Sequence, residues 1–484
     1  MKIPLEQEPF PPVTLSRAQE EKIQWLADTL LEETLVQYDE YVNHQNRVLD
    51  KNRYKQVIAR ENIAIYKRIG KGELGGSTPD IDLHNPQAEP RSKHWRLPLS
   101  VGVGTLAGTL DDLLYGQLAT TKDECTIRSS YTKDDGADSR VLATITKPTE
   151  SDPLQLLVVR WILLCQLVHR VGVKPRDVLQ MESIGARVLP NDERIGYIMV
   201  QSIDVPGCGE LRHLGAVRAD YSACFVFRAM SHGTIEVYMR SYVDPGGKVG
   251  DTIAVLSASM ALISIWRLML AGQNKKLAYI ARGNTLNNKP TFVDNTTASN
   301  SKTCPLCQKS LSSFRSRARC DLCQKKLCSR CVDKRKLSYV QSSGNLVRVP
   351  THVCKTCILM ANKMNAGDVS ASEQEPNAGR AIRLYSTSSA GSQPAHPTPK
   401  HATGRRDRLS MLRRESTDTI TSESNATCND KEAEVTLDAA QLDLWVRMNQ
   451  LRMTAEETYN LTRQNGAAMA DAYDGGASSL GYRY

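Results

Sequence analysis

Four Cys-x-x-Cys pairs within 54 residues constrain this chain more than any other feature of its 484 residues. The pairs are Cys304/Cys307, Cys320/Cys323, Cys328/Cys331 and Cys354/Cys357. Two residues between cysteines let one turn of chain bring both sulfurs to one metal ion, and eight thiolates make two tetrahedral sites. The alternatives are a disulfide cluster or a reactive thiol pair. We expect neither, because we read no secretory signal at the start of the chain. The spacing predicts two structural zinc ions.

The gaps between the pairs indicate how the ligands are shared. Twelve residues separate the first pair from the second, four separate the second from the third, and twenty-two separate the third from the fourth. Four residues leave too little chain for each half to fold around its own metal. We therefore expect an interleaved arrangement, in which the first and third pairs share one ion and the second and fourth share the other.

The stretch from Cys304 to Cys357 resembles a FYVE-type zinc finger over about 60 residues. The resemblance rests on Cys304-Pro-Leu-Cys307, on the dense run from Cys320 to Cys331, and on His352-Val-Cys354-Lys-Thr-Cys357. It implies interleaved ligation. The family also carries two histidines before its third cysteine, and this chain reads Ser-Arg-Ala-Arg there instead. We therefore expect little preference for phosphatidylinositol 3-phosphate over other anionic lipids.

Positive charge is concentrated on the cysteine-rich segment. Residues 300–363 hold fourteen Lys and Arg against two Asp, a net charge of +12, whereas the whole chain carries +9. Such a surface attracts an anionic membrane leaflet. Nucleic acid could use the same field, but we do not expect it as the partner, and a plain solvated surface is the remaining alternative. The candidate membrane-binding and anion-binding residues are Phe314, Arg315, Arg317 and Arg319.

The part of the chain before the cysteines predicts an α+β fold. Residues 14 to about 60 show helical periodicity, and residues 1–44 are taken as an N-terminal helical segment. Residues 70–93 indicate a loop, 105–118 a helix and 251–282 a long closing helix. Runs rich in Val, Ile and Tyr, bounded by Gly, Pro, Asp or Asn, predict antiparallel strands. These runs are 97–103, 125–131, 140–145, 178–188, 195–203, 217–228 and 234–243.

Residues 45–285 resemble a START-type lipid-binding domain. The resemblance rests on the run that starts at Arg176-Asp177, the two strands after residue 217, and the closing helix. It implies an antiparallel sheet wrapped on a long C-terminal helix, with an apolar tunnel that holds a lipid. A START-like domain followed by a FYVE-like finger is similar to an architecture found in oomycete proteins. The candidate polar anchors for a head group are Arg160, Glu182, Arg218 and Arg228.

One question stays open at this stage, and it concerns the apolar faces of the strands. Apolar strand faces that pack as a solid core alternate in the same way as faces that line a hollow, so the sequence does not separate the two. The most apolar run, 253–266, has fourteen uncharged residues, fewer than the roughly 20 that a membrane span needs, so we expect no membrane-spanning segment and a soluble chain.

The remaining segments complete the domain organisation. The finger occupies residues 298–365. Residues 366–431, poor in apolar side chains, are predicted to be a disordered linker. Residues 432–466 are predicted to form an amphipathic helix, and its apolar stripe suggests a protein partner for 436–465.

No catalytic constellation stands out, because the nine histidines are scattered and no phosphate-binding loop is present. We therefore interpret the chain as a non-enzymatic, zinc-binding adaptor for lipid or anionic membrane surfaces. Its expected location is the cytoplasm, peripherally on endosomal or other intracellular membranes. The alternative is a RING-like or PHD-like zinc module that mediates protein–protein interaction, for example as a ubiquitin-ligase adaptor.

Overall fold

The computed structural model of the chain describes residues 5, 7–70, 76–132, 136–164, 174–286, 303–311 and 317–374. The predicted amphipathic helix at 432–466 lies outside these residues. Most of the predicted linker does too, as do Phe314, Arg315 and the side chain of Arg317.

A ten-stranded sheet dominates the described part of the chain. Its order is β1-β2-β5-β12-β11-β9-β8-β7-β6, all antiparallel, and β10 adds a short parallel pairing with β8. A small hairpin, β3–β4, stands apart from it. The strands are β1 Tyr54–Arg60, β2 Ile63–Arg68, β3 Ser77–Asp80, β4 Arg91–His94, β5 Ser100–Ala107, β6 Gly136–Thr146, β7 Leu156–Leu164, β8 Arg176–Val188, β9 Arg194–Ser202, β10 Val217–Arg218, β11 Asp220–Met230 and β12 Thr234–Asp244.

Helices cover both faces of the sheet. One face, called the inner face here, lies against α2 and the closing helices α4 and α5, and the opposite outer face lies against α1. Alternate residues of each strand point to opposite faces. On β7, for example, Val158 belongs to the inner apolar cluster and Trp161 to the outer one. The helices are α1 Arg17–Asp39, α2 Leu110–Gln117, α3 Lys122–Thr132, α4 Asp251–Ile263 and α5 Arg267–Leu286.

The predicted α+β class, with an antiparallel sheet against a long closing helix, is confirmed. Two details differ. The closing helix is interrupted by a 3-10 turn at Ser264–Trp266. The stretch 125–131, predicted as a strand, is helical in α3, because the Thr121 hydroxyl accepts from the Glu124 amide and the buried Cys125 and Arg128 recur at helical spacing.

Strands also occur where none were predicted. The helical pattern from residue 14 ends in a π-helical turn at Glu40–His44, and β1 begins ten residues later. The hairpin β3–β4 lies inside the predicted loop at 70–93. The predicted helix at 105–118 begins at Leu110, because residues up to Ala107 extend β5. The sequence patterns also missed β7, whose residues are buried or half-buried on both faces.

The closing helical region is long and apolar enough, by length and composition, to cross a membrane. This region is Asp251–Asn284, and its most apolar stretch has a mean hydropathy of 1.9 with 39% of it buried in the protein. The sequence-based expectation that no segment would be long enough is therefore not met. Core helices of soluble proteins share these properties, and here Leu262 and Ile263 are buried against the inner face.

A small module built on the eight cysteines follows. It contains two hairpins and one helix, and it packs on α5, whose Leu277 and Ile280 share an apolar cluster with Leu337 and Val353. The Ser338 amide donates to the Tyr131 hydroxyl at 2.7 Å. The elements are β13 Arg317–Arg319, β14 Lys326–Cys328, β15 Val332–Val340, β16 Leu346–Cys354 and α6 Lys355–Lys363.

A further helix, α7 (Ala366–Gln374), lies where the disordered linker was predicted to begin. Its Ala366 and Val369 join the inner apolar cluster, and the Tyr115 hydroxyl donates to Glu373 at 2.6 Å. The prediction was wrong for these nine residues. Low apolar content does not prevent order when small side chains pack on a core that other segments supply.

Candidate metal centres and the polar cluster of the inner face

The eight cysteines form two groups, each of which could hold a metal ion. One group is Cys304, Cys307, Cys328 and Cys331, and the other is Cys320, Cys323, Cys354 and Cys357. The predicted interleaving of first with third and second with fourth pairs is confirmed.

The sulfur separations fit a tetrahedral metal site. The Sγ atoms of Cys307 and Cys328 are 3.5 Å apart, those of Cys320 and Cys357 are 3.8 Å apart, and those of Cys323 and Cys354 are 3.7 Å apart. Sulfurs at about 2.3 Å from a zinc ion at the centre of a tetrahedron lie about 3.8 Å from one another. A disulfide needs about 2.05 Å. The geometry therefore suits metal ligation and excludes disulfides among these pairs.

The first two pairs sit in matching turns. The Gln308 amide donates to the Cys304 carbonyl at 2.7 Å, and the Gln324 amide donates to the Cys320 carbonyl at 2.9 Å. Both glutamines have a positive φ, 55° and 61°. The sequence repeats Cys-x-Leu-Cys-Gln-Lys at both places. That repeat is a signal of two equivalent turns that the spacing argument did not use.

The fourth pair is positioned by a helix terminus. Cys354 is the N-cap of α6, its sulfur accepts from the Cys357 amide at 3.4 Å, and its own amide donates to the Cys320 sulfur at 3.3 Å. Both groups consist of cysteines alone. His352 lies instead beside Asp321, with 3.7 Å between Nδ1 and the carboxylate.

The predicted anion-binding residues are only partly described. Arg319 is exposed on β13, and its Nε donates to the Gln324 carbonyl at 3.1 Å. A second basic row, which the sequence reading did not single out, follows the hairpin β15–β16. Lys334, Lys336 and Arg348 are exposed there on one face of the hairpin, because pairs Lys336↔Pro350 and Ser338↔Arg348 lie in register. The alternation of Lys334 and Lys336 at strand spacing was the available signal.

A charged cluster lies buried in the inner face. Arg160 on β7 and Glu182 on β8 are 0% and 1% exposed, and Arg160 Nε is 2.8 Å from the Glu182 carboxylate. Arg128 on α3 and Gln117 on α2 each donate to the other carboxylate oxygen at 3.1 Å. One further Arg160 nitrogen donates to the Ala119 carbonyl at 2.7 Å. Two guanidinium groups thus converge on one carboxylate.

The arginines control the protonation of this carboxyl. Burial alone would raise the pKa of Glu182, but the neighbouring Arg160 and Arg128 outweigh that effect and hold the pKa below its ordinary value. Glu182 is therefore an anion within an otherwise apolar layer that includes Val158 and Ile184.

Two of the four predicted anchors are elsewhere. Arg218 pairs with Asp177 at 2.9 Å, and the same carboxylate accepts from Trp161 of the outer cluster. Arg228 pairs with Glu193 near the sheet edge. Both arginines are therefore engaged away from the inner face. Arg128 was missed because its segment was predicted as a strand.

Comparison with known proteins gives structural similarity only, since no family model and no curated protein matches the chain. Human StAR-related lipid transfer protein 5 covers 53% of this chain and 99% of its own, with a TM-score of 0.34 and 14% identity. Human STARD10 covers 50% and 82%, with a TM-score of 0.33 and 13% identity. A STAR-related lipid transfer protein fragment from Xanthomonas axonopodis covers 45% and 96%, with a TM-score of 0.30 and 14% identity. These similarities are low, and the α+β class rests on this chain's own strands and helices.

Proposed function

We propose that this protein is a non-enzymatic adaptor that holds an amphipathic lipid at the inner face and meets anionic membranes through its zinc finger. The observation that carries the proposal is the buried cluster of Arg128, Arg160 and Glu182. Buried charges cost free energy unless they are paired or used. An apolar chamber with a few convergent polar groups is the usual form of a site for a ligand with one polar end.

The ligand would bind between the sheet and the closing helices. Phe227 and Val237 of the sheet and Leu262 of α4 supply apolar surface there. Two guanidinium groups against one carboxylate give the cluster a net charge of +1, so it would attract an anionic or electron-rich polar end of the ligand.

We propose zinc as the metal of both cysteine groups. Four thiolates with separations near 3.8 Å match the ligand type and size of tetrahedral zinc. The ions would hold the finger together, and the finger in turn would present the row Lys334, Lys336 and Arg348 to the membrane. Each such charge contributes about 1 kcal/mol near an anionic leaflet. The finger's predicted lack of selectivity for phosphatidylinositol 3-phosphate remains part of this proposal.

The cytoplasm and its membranes are the proposed location, and residues 436–465 are proposed to bind a protein partner. Neither statement rests on the described residues.

The first experiment identifies the ligand. The full chain should be purified without detergent and its bound lipids identified by mass spectrometry, because α1 and the finger both pack on the sheet domain and belong in the sample. A stoichiometric lipid is expected. Purified protein that carries no lipid and takes up no fluorescent sterol or phospholipid would contradict the proposal.

The second experiment distinguishes a hollow from a filled chamber. Ala258 of α4 is 8% exposed, whereas Ala261 is exposed and serves as a matched control. In a hollow, Ala258→Trp leaves stability nearly unchanged and abolishes probe binding, and Ala261→Trp changes neither. In a solid core, Ala258→Trp costs about 1–3 kcal/mol of stability. If Ala258→Trp strongly destabilises the protein and the wild type binds no probe, the inner face is a filled core and the sheet domain has no ligand-binding role.

A further inference from the structure

A cavity of about 40 Å³ lies on the outer face, away from the proposed lipid chamber. It is lined by residues of α1 and of the strands β3, β9, β11 and β12. Leu30 and Met199 supply apolar wall, and Arg240 and Glu33 supply charge. Ala223, Cys224 and five hydroxyl-bearing residues complete the lining: Thr34, Ser77, Thr78, Ser222 and Tyr242. The Thr34 hydroxyl already donates to the Leu30 carbonyl at 2.8 Å, so the other hydroxyl groups are the candidate donors to a ligand. The lining is thus rich in hydrogen-bonding groups around one cation.

Arg240 differs from the other arginines at this face. It is half-buried on β12, opposite Cys224 of β11. Among the described residues, no carboxylate lies within ion-pair distance of its guanidinium, although Arg47 pairs with Glu236 at 2.6 Å and Arg218 pairs with Asp177 at 2.9 Å. The Glu33 carboxylate lines the same cavity and acts on Arg240 through space, without a direct ion pair among the described residues. An anion from solution would supply the direct contact that the guanidinium lacks.

The Asp220 carboxylate, at the start of β11, already has a cationic partner. Asp220 pairs with Lys93 of β4 at 2.8 Å. The charge of Arg240 acts on the cavity groups instead: burial raises the pKa of Glu33 and of Tyr242, and Arg240 partly offsets both shifts. The guanidinium therefore acts on two other groups of the cavity lining, Glu33 and Tyr242.

We propose that this cavity is a binding site for a small oxyanion, held by the Arg240 guanidinium and the surrounding hydroxyl groups. A water needs about 10–15 Å³ of such space, so the cavity of about 40 Å³ holds about three waters or a small oxyanion that replaces them. A planar carboxylate suits the guanidinium fork. The exposed Glu33 carboxylate at the rim repels a second negative charge, so the site prefers a monoanion such as a short-chain carboxylate over a phosphate dianion.

The test uses the full chain and three anions at matched ionic strength: acetate, phosphate and chloride. Binding is measured as saturable stabilisation against heat and as saturation transfer to the acetate methyl group in NMR. We expect acetate to stabilise more than chloride and phosphate to bind several-fold more weakly than acetate. Arg240→Gln should weaken acetate binding at least tenfold. Glu33→Gln should improve phosphate binding more than acetate binding.

Controls keep the result interpretable. Arg187→Gln removes another half-buried arginine, one that pairs with Asp28 and Glu32 of α1, and should leave acetate binding unchanged. Arg240→Lys keeps the charge but loses the fork, and should bind at an intermediate level. Should Arg240→Gln fail to fold, Ser222→Val fills the cavity and should also abolish the signal.

Equal acetate responses in the wild type and Arg240→Gln would overturn the proposal, because the effect would then be a general salt effect. A response to phosphate alone would overturn the preference for a monoanion. Lipid binding at the inner face should be the same in all these variants, which separates this site from the proposed lipid chamber.

Discussion

The finger and the sheet domain are stabilised in opposite ways. With metal bound as proposed, the finger would take most of its free energy of folding from two groups of four sulfurs. Its apolar cluster in the described part of the chain, which includes Leu322 and Leu327, is smaller than either cluster of the sheet domain. The sheet domain spreads its stability over two apolar layers, one on each face. A module of the first kind fails when one ligand is lost, whereas a module of the second kind loses stability in proportion to the contact removed.

The two modules share one helix. The C-terminal half of α5 contributes Leu277 and Ile280 to the finger, and its N-terminal part contributes Leu268 to the inner cluster. The buried Lys276 of α5 pairs with Asp112 of α2 at 2.5 Å and donates to the Met364 carbonyl beyond α6 at 3.2 Å. Unfolding of the finger should therefore destabilise α5, which covers the inner face. A substitution in the sheet domain should affect the finger less, because many apolar contacts hold α5 on the sheet.

The largest effect is expected from a metal ligand. Cys320→Ser should lower the zinc content and unfold the whole finger, because the two groups are interleaved along the chain. Structural zinc contributes roughly 10 kcal/mol or more to folding. Elemental analysis and circular dichroism measure both consequences. Cys208→Ser, at a buried cysteine of the outer cluster, is the matched control and should keep both ions. A Cys320→Ser protein that keeps two zinc ions would contradict the ligand role of Cys320, and one that loses a single ion while the finger stays folded would contradict the coupling of the two groups.

The second effect concerns the buried cluster in the sheet domain. Glu182→Gln leaves two buried arginines without their carboxylate and should cost about 3–5 kcal/mol, measured by chemical denaturation. Glu193→Gln removes the partly exposed partner of Arg228 and should cost about 1 kcal/mol or less. Equal costs for the two substitutions would mean that the buried cluster is not a special feature of the inner face.

The same cluster gives a pH dependence with a definite sign. The pKa of Glu182 is lower in the folded protein than its ordinary value of 4.5. Its stabilising contribution is therefore complete above that ordinary value and is lost as the pH falls through the lowered pKa. The stability difference between wild type and Glu182→Gln should shrink in that acidic range.

The contrast between the modules also explains what the sequence could predict. Metal ligation is encoded by short spacings, so the four pairs and their interleaving were readable residue by residue. The strands β8, β9, β11 and β12 were readable because they are runs rich in Val, Ile and Tyr that are bounded by Gly, Pro, Asp or Asn. Arg160 and Glu182 were predicted as candidate anchors from the sequence. Their contact with Arg128 depends on how α3 packs against the sheet, and a local sequence pattern does not predict that packing.

Helix α7 shows the same limit at the end of the described chain. Its nine residues carry little apolar surface, and their order depends on Tyr115, on Arg282 and on the turn at Pro153. A helix that is ordered by contacts with distant residues does not need an apolar periodicity in its own sequence, so the sequence pattern does not predict it.

The third effect tests the close crossing of α2 and α5. A Cβ added to Gly116 would lie 2.1 Å from the Leu268 carbonyl oxygen, and one added to Gly272 would lie 2.2 Å from the Asp112 carbonyl oxygen. Alanine usually stabilises a helix relative to glycine. Here Gly116→Ala should instead cost about 1–3 kcal/mol through overpacking. Thermal unfolding that shows a gain in stability would mean that the two helices can separate freely.

The smallest effect on folding is expected from substitutions in the basic row of the finger. These substitutions should change membrane binding instead of stability. Lys334 and Lys336 are exposed, so their joint replacement by Gln should change the free energy of unfolding by less than about 0.5 kcal/mol. Binding to acidic liposomes should weaken by about 2 kcal/mol at low salt, because two charges near the leaflet are lost. The exposed Lys51 and Lys55 of the sheet domain form the control pair. If both double variants lose the same affinity, net charge alone drives binding, and the finger has no preferred membrane-facing side.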